Sequence, residues 1–293
     1  MYFTTFQYNG EEKIGVLNKY KTRVIPIEEF IRENTPSTMI ELIERLSDED
    51  IKILQKEYPE NMGIELSDVK ILAPIPEPVR NIICVGKNYK DHIKEVAKTV
   101  DDMNDIPTYP IYFSKMFDRI LGPDDKISSH SDISNSLDYE SELAVVIGRG
   151  GKDITYEGAQ DYIFGYTIVN DISVRNVQKR HIQWFRGKSL DGTCAIGPYI
   201  VHKSAVPYPP ELDISSTVNG ELRQNSNTKD FIFNISKLIS DFSRGLTLKP
   251  GDIIATGTPS GVGMGFNPPR FLKHGDVVEC TIENIGTLRN IVD

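Results

Sequence analysis

Cysteine is scarce: Cys84, Cys194 and Cys280 are the only three in 293 residues. They are far apart and odd in number, and they form no CxxC pair. That excludes a zinc knuckle and a disulfide framework, and it points to a reducing compartment, the cytoplasm. Long apolar runs are also missing. The longest, such as LAVVI at 143–147, are strand-sized and far short of the ~18 residues a membrane helix needs. The first residues, MYFTTFQYNGEEKIG, show no basic stretch followed by an apolar one, so no signal peptide is expected. Positive charge is in deficit: 33 Lys and Arg against 42 Asp and Glu leave −9. A nucleic-acid partner is therefore not expected, because such binding needs a cationic surface. Internal repeats and low-complexity tracts are absent.

What remains is an ordinary globular composition, 39% apolar and 26% charged, long enough for one large domain or two smaller ones. Residues 2–8 and 13–17 read as strands around the turn NGEE. IEEFIRENT and STMIELIERLSDEDIKILQKEY carry apolar residues at helical spacing, with Ser37, Thr38 and Glu41 placed for a capping box. APIPEPVR at 73–80 holds Pro74, Pro76 and Pro78, which remove backbone donors and favour extended chain. It reads as a boundary. After NIICVG at 81–86 comes a polar, helical or mobile segment, 87–105. Short β-rich segments then alternate with turn signals, and VNGE at 218–221 has the Asn-Gly pair of a type I′ hairpin. ISKLISDFSRGL at 235–246 is the one helix among them. The reading is an α+β chain, mainly β, with a small N-terminal α+β domain at 1–73, a linker at 74–80 and a large domain at 81–293.

Five segments carry candidate chemistry. In LDYESELAVVIG, 137–148, strand alternation places Asp138, Glu140 and Glu142 on one face. Adjacent carboxylates repel unless a cation or a proton neutralises them, and an oxygen-rich set suits a hard divalent ion. A solvated strand face is the alternative. In YTIVND, Asp171 ends an apolar strand and would add a third ligand, or else form an Asx turn or a helix cap. In NYKDHIKE, His92 and Glu95 share a helix face, as a general base oriented by a carboxylate or as an exposed pair. In WFRGKSLDG, the GKS is not a phosphate-binding loop, because Ile182 stands where that pattern needs glycine. Lys188 there is a candidate to neutralise a carboxylate or enolate. Finally, GDIIATGTPSGVGMG runs from a buried strand into a glycine-rich loop whose N–H groups are able to approach an anion. No nicotinamide or flavin motif is present, and no cysteine or serine nucleophile arrangement is readable.

Taken in order, CVGKNYKDHIKE, LDYESELAVVIG, GYTIVNDISVRNVQ, RGKSLDG with Gly197-Pro198, and GDIIATGTPSGVG resemble the fumarylacetoacetate hydrolase family. The resemblance spans about residues 70–293. Residues 1–73 resemble the small N-terminal domain of the bacterial members of about this length, a subgroup that includes oxaloacetate decarboxylases, acylpyruvate hydrolases and hydroxyheptadienedioate isomerases. The resemblance implies the family's mixed β-sandwich roll, usually in a homodimer. It implies a divalent ion, Mg²⁺ or Mn²⁺ and sometimes Ca²⁺, on Glu140, Glu142 and Asp171, with Asp138 behind them. It implies that His92 and Glu95 form a water-activating dyad on a lid-like segment and that Lys188 is the active-site lysine. Arg175 and Gln178 would line the pocket, and Thr258 would touch a substrate carboxylate. The founding hydrolase's additional acidic ligand has no counterpart here. The substrate implied is a small 2-oxo acid. Its enolate is the electron sink shared by acylpyruvate hydrolysis, oxaloacetate decarboxylation and tautomerisation of an oxo-diene acid. The expectation places carbon–carbon cleavage ahead of tautomerisation. A binding or scaffolding protein is the contrasting class, and it has no physical need for three mutually repelling carboxylates.

Overall fold

The computed structural model describes residues 1–56, 58–97 and 106–293. Its centre is a strand pair that explains itself from composition. Ser141–Ile147 and Ile163–Asp171 are antiparallel, and every residue of both is buried. Continuous apolar runs such as LAVVI have no polar face to offer water, so they occupy the middle of a sheet covered on both sides. Alternate side chains enter different cores. Leu143, Val145 and Ile147 pack with Ile214, Val278 and Leu288. Ala144 and Val146 pack with Met39, Leu42 and Ile43.

Around this pair lies a mixed sheet of eleven strands. On one side Ile253–Ala255 pairs antiparallel with Ser141–Ile147 and parallel with Ile82–Gly86, and Ile111–Lys115 closes that edge. On the other side Cys194–His202 pairs with Ile163–Asp171 and also with Tyr2–Tyr8. The N-terminal segment is thus joined to the rest through one sheet. A second, five-stranded sheet contains Asp213–Val218, Glu221–Asn227, Val277–Ile282 and Gly286–Val292, with Lys126–Ile127 at its edge. Its middle strands alternate between buried and partly exposed residues, the pattern of a sheet with one wet face. The architecture is α+β and mainly β.

Local chemistry explains most boundaries. Asn219 and Gly220 both have positive φ, 53° and 78°, as the type I′ hairpin requires. The stretch expected to be helical from 37 onward is two helices, Met39–Arg45 and Asp48–Leu54. Thr38 caps the first. Ser47 interrupts the run by forming a reciprocal capping box with Asp50, which starts the second. IEEFIRENT holds only a 3₁₀ turn at Ile27–Glu29, with Asn34 at positive φ and Pro36 closing the segment. The helix in the polar segment is Lys90–Ala97, and its expected continuation at 98–105 lies outside the described residues. Among the described residues no helix is long and apolar enough to cross a membrane.

His202 marks the seam with the N-terminal strand. Its ring lies 5.4 Å from Phe164 and 6.3 Å from Phe3, and Nδ1 is 2.8 Å from Ser204 Oγ. Burial, then the nearby α-amino group and Lys203, push its pKa from 6.5 down to about 4. The unfolded chain therefore binds a proton on His202 as pH falls below 6.5, while the native state does so only near 4. Stability falls with pH across that window. Thermal melts of wild type and His202→Gln at pH 7.0 and 4.5 should show a smaller loss in the variant. Equal losses would place the acid sensitivity elsewhere.

Candidate active site

The site begins where the central strand pair ends. Ser141 is in register with Asn170, Asn170 Oδ1 accepts from the Glu140 N–H, and the Asp171 N–H donates to the Glu140 carbonyl. This crossing brings Glu140, Glu142 and Asp171 together, with one oxygen from each within 4.8 Å of the others. All three are buried. The strand does not run unbroken through 138–142: Leu137–Asp138 belongs to a separate two-stranded ladder with Ser173–Val174. Asp138 consequently leaves the cluster. It accepts from the N–H groups of Tyr139, Gly263 and Met264 and from Arg175 Nε.

Three buried cations answer the carboxylates. Lys188 Nζ is 2.7 Å from Glu140 Oε2 and 2.6 Å from Asp171 Oδ2. Arg175 Nη1 is 2.7 Å from Glu140 Oε1, while its Nε holds Asp138. Lys115, fully buried, is 3.0 Å from Asp171 Oδ1 and donates to the carbonyls of Ile172 and Lys188. Four carboxylates, Asp138, Glu140, Glu142 and Asp171, thus face three cations. Glu142 is the unmatched one: among the described residues its oxygens take only the Gly257 N–H, at 2.8 Å. Gly257 has φ of 98°, which an L side chain rarely adopts, so glycine is what lets this amide face inward.

The charges set the ionisation. Burial opposes the charged form of Glu140, but Lys188, Arg175 and His92 outweigh it and hold the carboxyl at about 2. Burial raises Glu142 well above the usual carboxylate range, and the charges of Asp171 and Glu140 raise it further. Burial alone would lower Lys188; Asp171 and Glu140 reverse that, so it stays an ammonium. A buried all-oxygen donor set one positive charge short fits a hard divalent cation, with Glu140, Glu142 and Asp171 as the residues able to hold it. The cysteines offer no nucleophile. All three are free and buried, and burial pushes Cys194 and Cys280 to about 12.

A cavity of about 510 Å³ opens onto this cluster. Its walls include Glu140, Glu142, His92, Arg175, Gln178, Lys188 and Thr258. Seven of the nine residues singled out in the sequence thus meet in one cavity. Asp171 stands behind Lys188, and Glu95 behind His92. His92 Nδ1 is 3.4 Å from Glu95 Oε2, and both Glu95 oxygens accept from the Gly261 N–H. Arg175 Nη1 also donates to Gln178 Oε1, whereas Nη2 is buried without a hydrogen-bond partner among the described residues. Thr258 is already engaged: its hydroxyl donates to the Ser141 carbonyl and accepts from Gln224 Nε2.

The glycine-rich loop does bind anions, but they are the chain's own carboxylates. Gly257, Gly261 and Gly263 donate in turn to Glu142, Glu95 and Asp138. Other site residues escaped sequence reasoning. Lys115 closes an apolar strand, and a lone charge at such a position was its one available signal. Gln224 had none. It lies in the second sheet, and apart from Ser216 on the neighbouring strand its amide reaches residues distant in sequence: Ser141, Thr258 and Pro259. Ser173, which donates to Glu140, was likewise unmarked.

Two substitutions separate the parts of the site. Lys115→Met should leave Asp171 short of a buried partner and cost about 3 kcal/mol in denaturant unfolding. A loss below about 1 kcal/mol would show that Lys188 alone suffices for Asp171. At Gly265 an added Cβ would collide with the Glu95 carboxylate, which is the flexible end of a side chain. Gly265→Ala should therefore displace Glu95 from His92 and cut turnover at least tenfold, with Mn²⁺ affinity unchanged. Weakened Mn²⁺ binding would mean that the two halves are not separable.

Comparison with known proteins identifies the family. The family model described as fumarylacetoacetate (FAA) hydrolase, C-terminal, matches residues 81–293. Oxaloacetate tautomerase YisK of Bacillus subtilis (strain 168) is 54% identical over 225 residues, 77% of this chain and 73% of the relative. The structure of a fumarylacetoacetate hydrolase from psychrophilic Exiguobacterium antarcticum superposes with a TM-score of 0.83 at 39% identity, covering 100% of this chain and 99% of that one. Maleylpyruvate hydrolase from Sphingobium sp. SYK-6, solved with manganese(II) and pyruvate, gives 0.78 at 29% identity, covering 100% and 98%.

Proposed function

The chain belongs to the fumarylacetoacetate hydrolase family, and on that premise we propose that it enolises a small 2-oxo acid of the oxaloacetate type, moving a proton between C3 and the 2-oxo oxygen. The observation that carries this reading is Lys188. Its buried amine lies in the cavity wall, wedged between two carboxylates of the acidic cluster whose charges favour the ammonium form. Positive charge fixed in a dry site lowers the energy of negative charge developing on a carbonyl oxygen, and it needs no reorganisation at the moment of reaction.

The remaining residues meet the other demands. A substrate carboxylate finds a donor in Arg175 Nη2, which has no hydrogen-bond partner among the described residues and lies beside Gln178. The Asp138 carboxylate keeps that guanidinium in place. His92 faces the cavity and is the group placed to take the C3 proton, with Glu95 orienting its ring from behind. Lys188 is placed to hold a proton at the 2-oxo oxygen. A divalent cation on Glu140, Glu142 and Asp171, Mg²⁺ or Mn²⁺ by preference and Ca²⁺ by the same oxygen chemistry, supplies Lewis-acid polarisation when bound. The name of the Bacillus relative and the manganese and pyruvate in the Sphingobium structure support this reading. Three buried, unpaired thiols fit a cytoplasmic setting.

Carbon–carbon cleavage is the second reading, as acylpyruvate hydrolysis or oxaloacetate decarboxylation. The specific observation in its favour is the His92–Glu95 contact, which also suits activation of water. The enolate is common to all these reactions. The 54% identity to a tautomerase moves proton transfer ahead of cleavage.

The test follows the decay of enol-oxaloacetate by ultraviolet absorbance on Mg²⁺-loaded protein, with pyruvate measured in the same samples. Enol loss without pyruvate is expected. Stoichiometric pyruvate would establish cleavage instead. Lys188→Met should slow the proton transfer by at least a hundredfold while Mn²⁺ binding, followed by electron paramagnetic resonance, persists. Full activity in that variant would remove Lys188 from the mechanism.

A further inference from the structure

The cavity is both larger and more apolar than a four-carbon diacid requires. Its volume, about 510 Å³, lies within the ~300–1,000 Å³ range of clefts that enclose drug-sized ligands. One wall is aromatic and starts at the reacting end. The Lys188 ammonium lies 5.2 Å from the centroid of the Phe113 ring. Phe113 in turn meets Trp184 edge-on, with ring centroids 5.4 Å apart and planes at 76°. The indole lies so close on Gly86 that a Cβ there would collide with it. Ile93 and Val96, from the helix that carries His92, also line the cavity, and Val96 packs with Val262 and Met264. Lys87 and Lys179 also line the cavity and suit a C4 carboxylate, whereas the rings offer such a charge no donor. An apolar or aromatic group would lose water at a gain.

We propose that, besides oxaloacetate-type acids, the site takes 2-oxo acids whose C3 carries an apolar or aromatic substituent, arylpyruvates among them. The carboxylate and 2-oxo oxygen lie at the Arg175 and Lys188 end, and the substituent lies on the Phe113–Trp184 wall. This rests on the enolisation reading for the head group and adds the class of tail. The reaction is an isomerisation: one proton leaves C3, one arrives at the 2-oxo oxygen, and no further reagent is consumed.

Pyruvate and phenylpyruvate differ only by the phenyl group on C3, so they isolate the tail. Titration calorimetry on the Mg²⁺-loaded protein should show phenylpyruvate binding at least tenfold tighter than pyruvate. Trp184 is the chain's single tryptophan, so phenylpyruvate should also change the intrinsic fluorescence at the wall itself. Phe113→Ala should abolish most of the difference while leaving pyruvate affinity within twofold. Trp184→Ala, at a partly exposed position, provides the same comparison if the first variant folds poorly. Pyruvate binding with no tighter binding of phenylpyruvate would overturn the tail assignment and leave the enolisation reading standing. Failure of both ligands to bind would overturn both. A preference that survives both substitutions would overturn the wall as its source.

Discussion

The structure turns on a buried shortage of positive charge. Asp138, Glu140, Glu142 and Asp171 sit away from water, and among the described residues Lys115, Arg175 and Lys188 are the buried cations paired with them. Buried charges persist only when they are paired and hydrogen-bonded. Every carboxylate except Glu142 has a cation, and Glu142 has a backbone amide. The deficit is therefore confined to one edge of the cluster, the edge that faces the cavity. A divalent cation is the group whose charge and hardness suit that edge.

Much of the surrounding fold keeps this arrangement dry and still. The strands that deliver the carboxylates are covered on both faces, which places their ends out of reach of bulk water. The second sheet is tied in by Gln224, whose oxygen accepts from Ser141 N–H and Ser216 Oγ and whose nitrogen donates to Thr258 and Pro259. With both ends satisfied, this buried amide links three chain segments without leaving a polar atom orphaned. The helix carrying His92 is anchored at two points: Asn88 bonds to Phe233 and Thr256 before it, and Glu95 takes the Gly261 amide within it. The loop at 257–264 is thus a frame for the chain's own carboxylates, and its Thr258 and Met264 also line the cavity.

Much of this was legible in the chain. The apolar runs at 143–147 and 163–169 announced buried strands, because a strand without a polar face has nowhere else to go. Asn219-Gly220 specified its hairpin through positive φ. The order of five motifs pointed to the family, and strand alternation together with an acidic strand end marked Glu140, Glu142 and Asp171. Where local reasoning went astray, a short-range interaction outweighed periodicity, as when Ser47 capped a new helix inside an apolar pattern.

The sequence by itself determined which segments would be buried, where many of the turns fall, and which acidic residues needed a counter-charge. These depend on side-chain polarity and on backbone preferences within a few residues. Only the tertiary structure decided what answers that charge. Lys188 and Glu140 are 48 positions apart, Gly257 and Glu142 are 115, and Gln224 and Ser141 are 83. Such meetings are set by sheet register and by the packing of one sheet on another. No local pattern marks Lys115 as a partner of Asp171, or Phe113 and Trp184 as one wall, because nothing near them in the chain depends on it.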